Sequence, residues 1–404
     1  MIEEGYTGRK GKGGFYRLNR DGATKIKEAR NLVTGEYAPA NRKAAFQSTK
    51  MGKQGLARML NHHDEGAAFV SDVLVDTLAY AAYLVPEVTD DIFAIDNAMK
   101  VGYNWKRGPF EMMDELGSTE LVSRLEASNK PIPPFLARAV ESGPFYRLED
   151  GEINRLTPSG EYIEIDRPAE TLTVADLKRR GEPLQRNASA SIWDAGDKVL
   201  LIEYHSKMNA MDPLSMEIIL AAVDMAEFDD WRGILIANDS KNFCAGANLG
   251  IALFAANLAA WAEVEDFIAL GQEAYQSLKY SEVPVVAAST GICVGGGAEV
   301  LLHCDAVQAH AESYIGLVEV GVGIVPGWGG CKELLARLSD FELVEGGPMT
   351  PIMKTFEMIG TAKVAKSAEQ ARRMGFLRPS DRISMNRDRL IADAKTTLLA
   401  LAEG

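Results

Sequence analysis

Two glutamates twenty residues apart are the strongest candidates for chemistry in this 404-residue chain. Glu299 ends the stretch Pro284-VVAASTGICVGGGAE, and Glu319 lies within Tyr314-IGLVEVGVGIVPGWGG. Two carboxylates that face one pocket can divide acid and base duties on a single water. The surroundings of Glu319 are almost entirely apolar, and an isolated structural charge there would be costly. The glycine run Gly295-Gly296-Gly297 leads into Ala298-EVLLHC, a helical pattern, so free N–H groups and a positive helix end fall beside the first carboxylate. A second small-residue turn, Phe243-CAGANL, follows the apolar strand pattern of Ile234-LIAN. Backbone N–H groups exposed at two such turns can hold a developing oxyanion. These parts together suit addition of water across a polarised carbon–carbon double bond.

The elements that position these residues belong to an alternating region. Lys198-VLLIEYH reads as a strand, Leu214-SMEIILAAVDMAEF as a helix, Trp231-RGILIAN as a strand, Asn257-LAAWAEVEDFIALGQEAYQSL as a long helix and Val283-PVVAAS as a strand. Such alternation predicts an α/β domain with crossover connections, with helices dominating again after Glu342. Upstream, Ala67-AFVSDVLVDTLAYAAYLV, Asp90-DIFAIDNAMKVGYNW and Gly108-PFEMMDELG carry apolar stripes at helical spacing. They predict an all-helical bundle. The expected divisions are a basic segment at 1–50, a helical domain at 51–145, a linker at 146–189 with one helix near Thr173–Arg180, and the α/β domain at 190–404.

Composition narrows the function classes. Hydrophobic residues make up 47% and charged residues 25%, enough for sizeable cores. The net charge of −14 argues against general nucleic-acid binding, although residues 1–60 alone carry +8. No apolar run approaches the ~20 residues of a membrane span, and the N-terminus shows no hydrophobic signal core. The four cysteines lack CxxC spacing and read as reduced thiols of a cytoplasmic protein. Five histidines without HExxH predict no metal site, and His62-His63-Asp64-Glu65 reads as a solvated face. Gly8-RKGKGGF fits neither GxxxxGK[ST] nor GxGxxG.

The order His205-SKMNAMD, Asn242-FCAGANL, Gly291-ICVGGGAE, Ile324-VPGWGG resembles the crotonase (enoyl-CoA hydratase/isomerase) superfamily across residues 190–404. The resemblance implies a spiral of ββα turns that binds an acyl-CoA thioester. It implies oxyanion donors at Ala247 and Gly296, with Ala245 and Gly246 in the same turn at the thioester. Glu299 would activate water and Glu319 would protonate C2. Ser206, Lys207, Asn209 and Ala210 match the stretch that contacts coenzyme A, Lys207 as the phosphate contact. Asn248 and Cys331-Lys332-Glu333 depart from the family pattern, which bears on pocket shape and chain-length preference.

Gly8-RKGKGGFY and the run from Arg58 to about Gly117, with its Gly-Pro-Phe turn, resemble the helical C-terminal domain of 3-hydroxyacyl-CoA dehydrogenase. The whole chain thus resembles the C-terminal part of a multifunctional fatty-acid β-oxidation enzyme, dehydrogenase first and hydratase last. No GxGxxG follows a strand pattern in these residues. NAD is therefore expected only with a Rossmann domain absent from this chain, and no cofactor within it. The expected partners are the acyl-CoA substrate, that NAD-binding domain, a thiolase and further copies of the chain. Two other readings stay open: an enoyl-CoA isomerase, and a non-catalytic acyl-CoA-binding scaffold.

Overall fold

The computed structural model describes residues 1–8, 10–19, 25–40, 46–168, 170–340 and 347–404. Arg9 of the Gly8–Phe15 motif and the point near Glu342 where helices were expected to resume lie outside the described residues. The chain divides into two units, one of Met1–Glu149 with Ile153–Ile165, the other of Asp150–Glu152 with Asp166–Gly404. Among the described residues no helix is long and apolar enough to cross a membrane.

The first unit opens with an antiparallel sheet, β1 (Tyr16–Asn19), β2 (Ile26–Arg30) and β3 (Tyr37–Pro39), in the order β1-β2-β3. Helices follow: α1 (Gln47–Met51), α2 (Leu56–Leu60), α3 (Glu65–Tyr83), α4 (Ile92–Tyr103), α5 (Pro109–Leu116), α6 (Ser118–Ala127) and α7 (Pro134–Ser142). A second small sheet of β4 (Tyr146–Glu149), β5 (Glu152–Leu156) and β6 (Tyr162–Glu164) comes next. The strands lie in the stretches read as a basic segment and a linker, and every element from Gln47 to Ser142 is helical. The strands escaped the pattern reading because they are three to five residues long and bury only Glu28 and Leu156, too little for a buried face to impose alternation.

The helices form where their caps direct them. Asp64, part of the histidine-rich cluster, accepts from Ala67 N at 2.8 Å as the N-cap of α3. Asp96 of α4 accepts from Phe110 N at 2.8 Å, Glu111 N at 3.1 Å and Tyr146 Oη at 3.0 Å. It thereby satisfies the first amides of α5. The Gly-Pro-Phe turn is packed against it: a Cβ on Gly108 would lie 2.2 Å from the Asp96 side chain. Phe110, Phe135 and Phe145 meet edge-on at 5.0–6.0 Å in the core beneath.

The second unit begins with α8 (Val174–Arg180), in the stretch expected as a linker, and is built on a seven-stranded sheet. Its strands are β7 (Gln185–Arg186), β8 (Ala190–Asp194), β9 (Val199–Tyr204), β10 (Gly233–Ile236), β11 (Val285–Val294), β12 (Ala306–Gly316) and β13 (Arg382–Ser384), in the order β13-β12-β11-β10-β9-β8-β7. From β9 to β13 the pairing is parallel, while β7, β8 and β9 pair antiparallel. The crossovers carry α9 (Pro213–Phe228), α10 (Leu249–Asn257), α11 (Trp261–Lys279) and α12 (Gly296–His303). Then come α13 (Gly330–Asp340), α14 (Thr350–Gly360), α15 (Ala368–Arg373) and, after β13, α16 (Leu390–Ala402).

Strand periodicity sorts the core onto two faces. Leu200, Ile202, Ile234, Ile236, Val285 and Ala287 pack with α9, α11 and α12. Val199, Leu201, Leu235, Val286 and Ala288 pack with Val174 and Leu177 of α8 and Leu390, Ile391, Ala394 and Leu398 of α16. The pairing of β11 with β12 shifts register between Ser289 and Gly291. Gly291 takes φ +54°, and a Cβ there would lie 2.1 Å from Lys241 O. Past this bulge the strands run on to Val294 and Gly316, delivering the chain to the glycine turn that carries Glu299.

Candidate active site

Gly295 turns the end of β11 into α12 with φ +57°, a conformation that favours glycine. Gly246 supports the neighbouring turn with φ +91°. The two turns abut: a Cβ on Gly246 would lie 3.3 Å from Gly296 N, and one on Gly296 would lie 3.5 Å from Ala247 N. The Ala247 turn is pinned by Met211 N donating to Gly246 O at 2.9 Å and Asn248 N donating to Met211 O at 2.7 Å. These bonds leave the Ala247 N–H itself unspent. Neither it nor the Gly296 N–H donates to a described residue. Two free amides side by side form a cradle for an anionic oxygen.

Glu299 lies in the first turn of α12 and is 2% exposed. Its Oε1 accepts from Trp328 N at 2.9 Å and Gly330 N at 2.8 Å. Burial pushes this carboxyl up to about 7; the Gly330 amide pulls it back, nearby Glu319 raises it, and the Trp328 amide lowers it. Gly330 must lack a side chain, because a Cβ would sit 2.9 Å from Glu299 Oε1.

Glu319 opens the 3-10 turn Glu319–Val322 and is 9% exposed. Both its carboxyl oxygens are buried without a hydrogen-bond partner among the described residues. Burial raises its pKa, and the backbone N–H groups of Glu319 and Val318 pull weakly the other way without reaching hydrogen-bond geometry. Its Oε1 lies 3.4 Å from where a Gly295 Cβ would be. The structure therefore brings Glu299, Glu319, Ala247 and Gly296 together around one turn, with an unsatisfied carboxyl beside them.

The stretch Ser206–Ala210 lies against the same turn, with Ala245 N donating to Met208 O at 3.3 Å. Lys207 is exposed, as a phosphate contact would need to be. Asn209 faces inward: it is 5% exposed, and its Nδ2 donates to Ser240 Oγ, Asn242 O and Phe243 O. What Asn209 offers a ligand is the shape of the loop rather than its amide group. Met208 and Asn209 both sit at positive φ, 62° and 53°, a costly pair that the Asn209 anchor holds in place. The Ala210 carbonyl accepts from Ser206 Oγ at 2.6 Å.

The amides that hold Glu299 were not singled out by sequence reasoning, although Pro326-Gly-Trp-Gly-Gly was visible. Backbone donors carry no side-chain signal. His303 was also missed. Its Nδ1 lies 2.7 Å from Glu299 O, which can only accept, so Nδ1 carries the proton. Burial lowers its pKa and keeps the ring neutral. The four cysteines are free, and Cys244, Cys293 and Cys304 are buried.

Residues 194–345 match the family described as enoyl-CoA hydratase/isomerase. The matched residues lie in the second unit, which mixes helix and sheet. Over 408 residues the chain is 37% identical to a Bacillus subtilis (strain 168) protein named "Probable 3-hydroxyacyl-CoA dehydrogenase", covering 99% of this chain and 51% of that one. It is 31% identical over 340 residues to a Rickettsia prowazekii (strain Madrid E) protein named for the trifunctional enzyme of a fatty acid oxidation complex, covering 83% of this chain and 43% of that one. The hydratase/isomerase domain alone is 38% identical over 138 residues to a "Crotonyl-CoA hydratase" of Syntrophomonas wolfei, covering 34% of this chain and 52% of that one. The chain spans about half the length of the curated relatives it matches.

Proposed function

We propose that the hydratase/isomerase domain adds water to trans-2-enoyl-CoA thioesters to give 3-hydroxyacyl-CoA, as a step of fatty-acid β-oxidation. The observation that carries this reading is the pair of buried carboxyls in unlike surroundings beside two unspent amides. The amides of Ala247 and Gly296 receive the thioester oxygen, whose charge grows as the double bond is attacked. Glu299, held by two N–H donors, is the carboxylate that takes a proton from water as its oxygen bonds to C3. Glu319, with no donor to stabilise its anion, carries the proton that goes to C2. Lys207 meets a phosphate of coenzyme A, and Ala245, Gly246 and Ala210 shape the approach to the thioester. Repeated strand–helix turns wind the domain into the family's spiral.

The names of the longer relatives support a place beside a 3-hydroxyacyl-CoA dehydrogenase that would consume the product, with NAD held by that partner. The helical part of the first unit would serve as support for it. Four free cysteines suit a reducing, cytoplasmic setting.

The test is loss of enoyl-thioester absorbance on adding crotonyl-CoA, with the product mass read in parallel. Wild type should yield a product heavier by one water. Glu299→Gln and Glu319→Gln should each slow turnover by roughly 10²–10⁴ and keep the fold. An isomer of unchanged mass would make the domain an isomerase. Thioester binding without turnover would make it a scaffold.

A further inference from the structure

We infer that Tyr275 is a positioning residue that anchors Gly296 by its carbonyl and so helps to aim the Gly296 N–H, with Trp328 closing the other side of the same residue. The inference rests on the reading of Gly296 as an oxyanion donor and extends it to side chains of α11 and the Pro326–Gly330 loop. Three successive glycines at 295–297 leave the backbone there without the steric restraint that a Cβ supplies. An oxyanion donor must nevertheless point in one direction before the charge develops. The bond from Glu299 N to Gly295 O at 3.0 Å holds the peptide that carries this N–H, and contacts from outside the turn hold the other side of Gly296.

Tyr275 lies on α11, is completely buried, and donates from Oη to Gly296 O at 2.8 Å. The Trp328 ring covers the same residue: a Cβ on Gly296 would lie 2.4 Å from Cζ3 and 2.7 Å from Cε3. The indole reaches this place only because Gly271 of α11 also lacks a side chain, since a Cβ there would lie 2.2 Å from Trp328 Nε1. Tyr275 and Trp328 meet edge-on at 5.5 Å, and Phe267 packs on Trp328 at 5.3 Å. The backbone N–H of Trp328 holds Glu299. Residues of one aromatic cluster therefore anchor Gly296 by its carbonyl and hold Glu299 by a backbone N–H. A tyrosine that merely filled this volume would have no use for a hydroxyl, which in an apolar core is costly unless it is bonded.

The consequence is specific to the transition state. Tyr275→Phe keeps the ring and its packing but releases the Gly296 carbonyl. The loss should fall where charge gathers on the thioester oxygen, not on binding of the nucleotide end.

The experiment compares wild type and Tyr275→Phe of the full chain in crotonyl-CoA hydration. It adds the infrared stretch of an isotope-labelled thioester carbonyl in bound butyryl-CoA. The expected result is kcat lower by about tenfold, KM changed by less than about twofold, a smaller carbonyl shift, and an unaltered melting temperature. Unchanged kcat with an unchanged carbonyl shift would overturn the proposal. So would a rise in KM alone, or a loss of activity that only follows a lowered melting temperature. If wild type binds butyryl-CoA but hydrates nothing, the hydratase reading fails, and the carbonyl shift still decides the role of Tyr275.

Discussion

Glu299 and Glu319 are the same side chain in two electrostatic settings. Glu299 is deeply buried yet receives two amide N–H bonds, which favour its anion. Glu319 is almost as buried and receives none. Hydrogen bonding thus favours the anion on Glu299 over the anion on Glu319, the division a base and an acid require, while burial raises both carboxyls. The pH dependence follows. The base must be ionised, and burial pushes Glu299 up to about 7, so kcat/KM should rise with pH through about 7. Loss of the Glu319 proton, on a carboxyl that burial also raises, should in turn lower kcat/KM. A profile flat between about pH 5 and 8 would remove these roles. Stability moves the other way. A carboxyl raised in the folded state contributes stability at pH below its unfolded value, and that contribution is lost as pH climbs toward about 7. Glu299→Gln keeps an oxygen for both amides and removes the charge. It should melt above wild type at alkaline pH and close to it at acid pH, by calorimetry. Both carboxylates were legible in the sequence because a glutamate in an apolar or glycine-rich run is unusual. Tyr275, His303 and the Trp328 and Gly330 amides were not, because a buried aromatic reads as core and a backbone donor has no sequence signature.

Elements with strong periodicity were legible and weakly patterned ones were not. The strand at Lys198–His205 and the helix at Leu214–Phe228 appear as β9 and α9. The long helix begins at Trp261 rather than Asn257, because Leu249–Asn257 forms α10, a separate apolar helix with no buried residue. β1–β6 were invisible because they bury only Glu28 and Leu156 and their pairing is set by backbone bonds. In the first unit the joint between α4 and α5 depends on one carboxylate. Asp96→Ala would strand Phe110 N, Glu111 N and Tyr146 Oη without their acceptor, and should cost about 3 kcal/mol in urea unfolding. Gly108→Ala should cost a similar amount, since its new Cβ would overlap the same carboxylate. A change below about 0.5 kcal/mol in either variant would mean that this joint yields to small shifts and does not hold the helices together.

At the scale of the whole molecule, each unit has its own hydrophobic core, and the chemistry proposed here resides in the second. The relatives that span most of this chain are about twice its length, and one of their names includes a dehydrogenase, an activity we predict these residues do not perform alone. Dinucleotide-binding sheets place a GxGxxG turn between a strand and the helix that follows it. In the seven-stranded sheet the turn after β9 is His205-SKMNAMD, and the glycine turn after β11 reads Val294-GGGAE. Neither has that spacing, and the second carries the amide proposed to receive the thioester oxygen. With 3-hydroxybutyryl-CoA and NAD, the chain should therefore form no NADH. With crotonyl-CoA and NAD, it should consume the enoyl thioester and still form none. Adding a separate 3-hydroxyacyl-CoA dehydrogenase should start NADH formation at a rate set by the hydratase. NADH formed by the chain alone would place a nucleotide site among these residues and overturn the division of labour. A silent coupled assay would show that no 3-hydroxyacyl-CoA had been made.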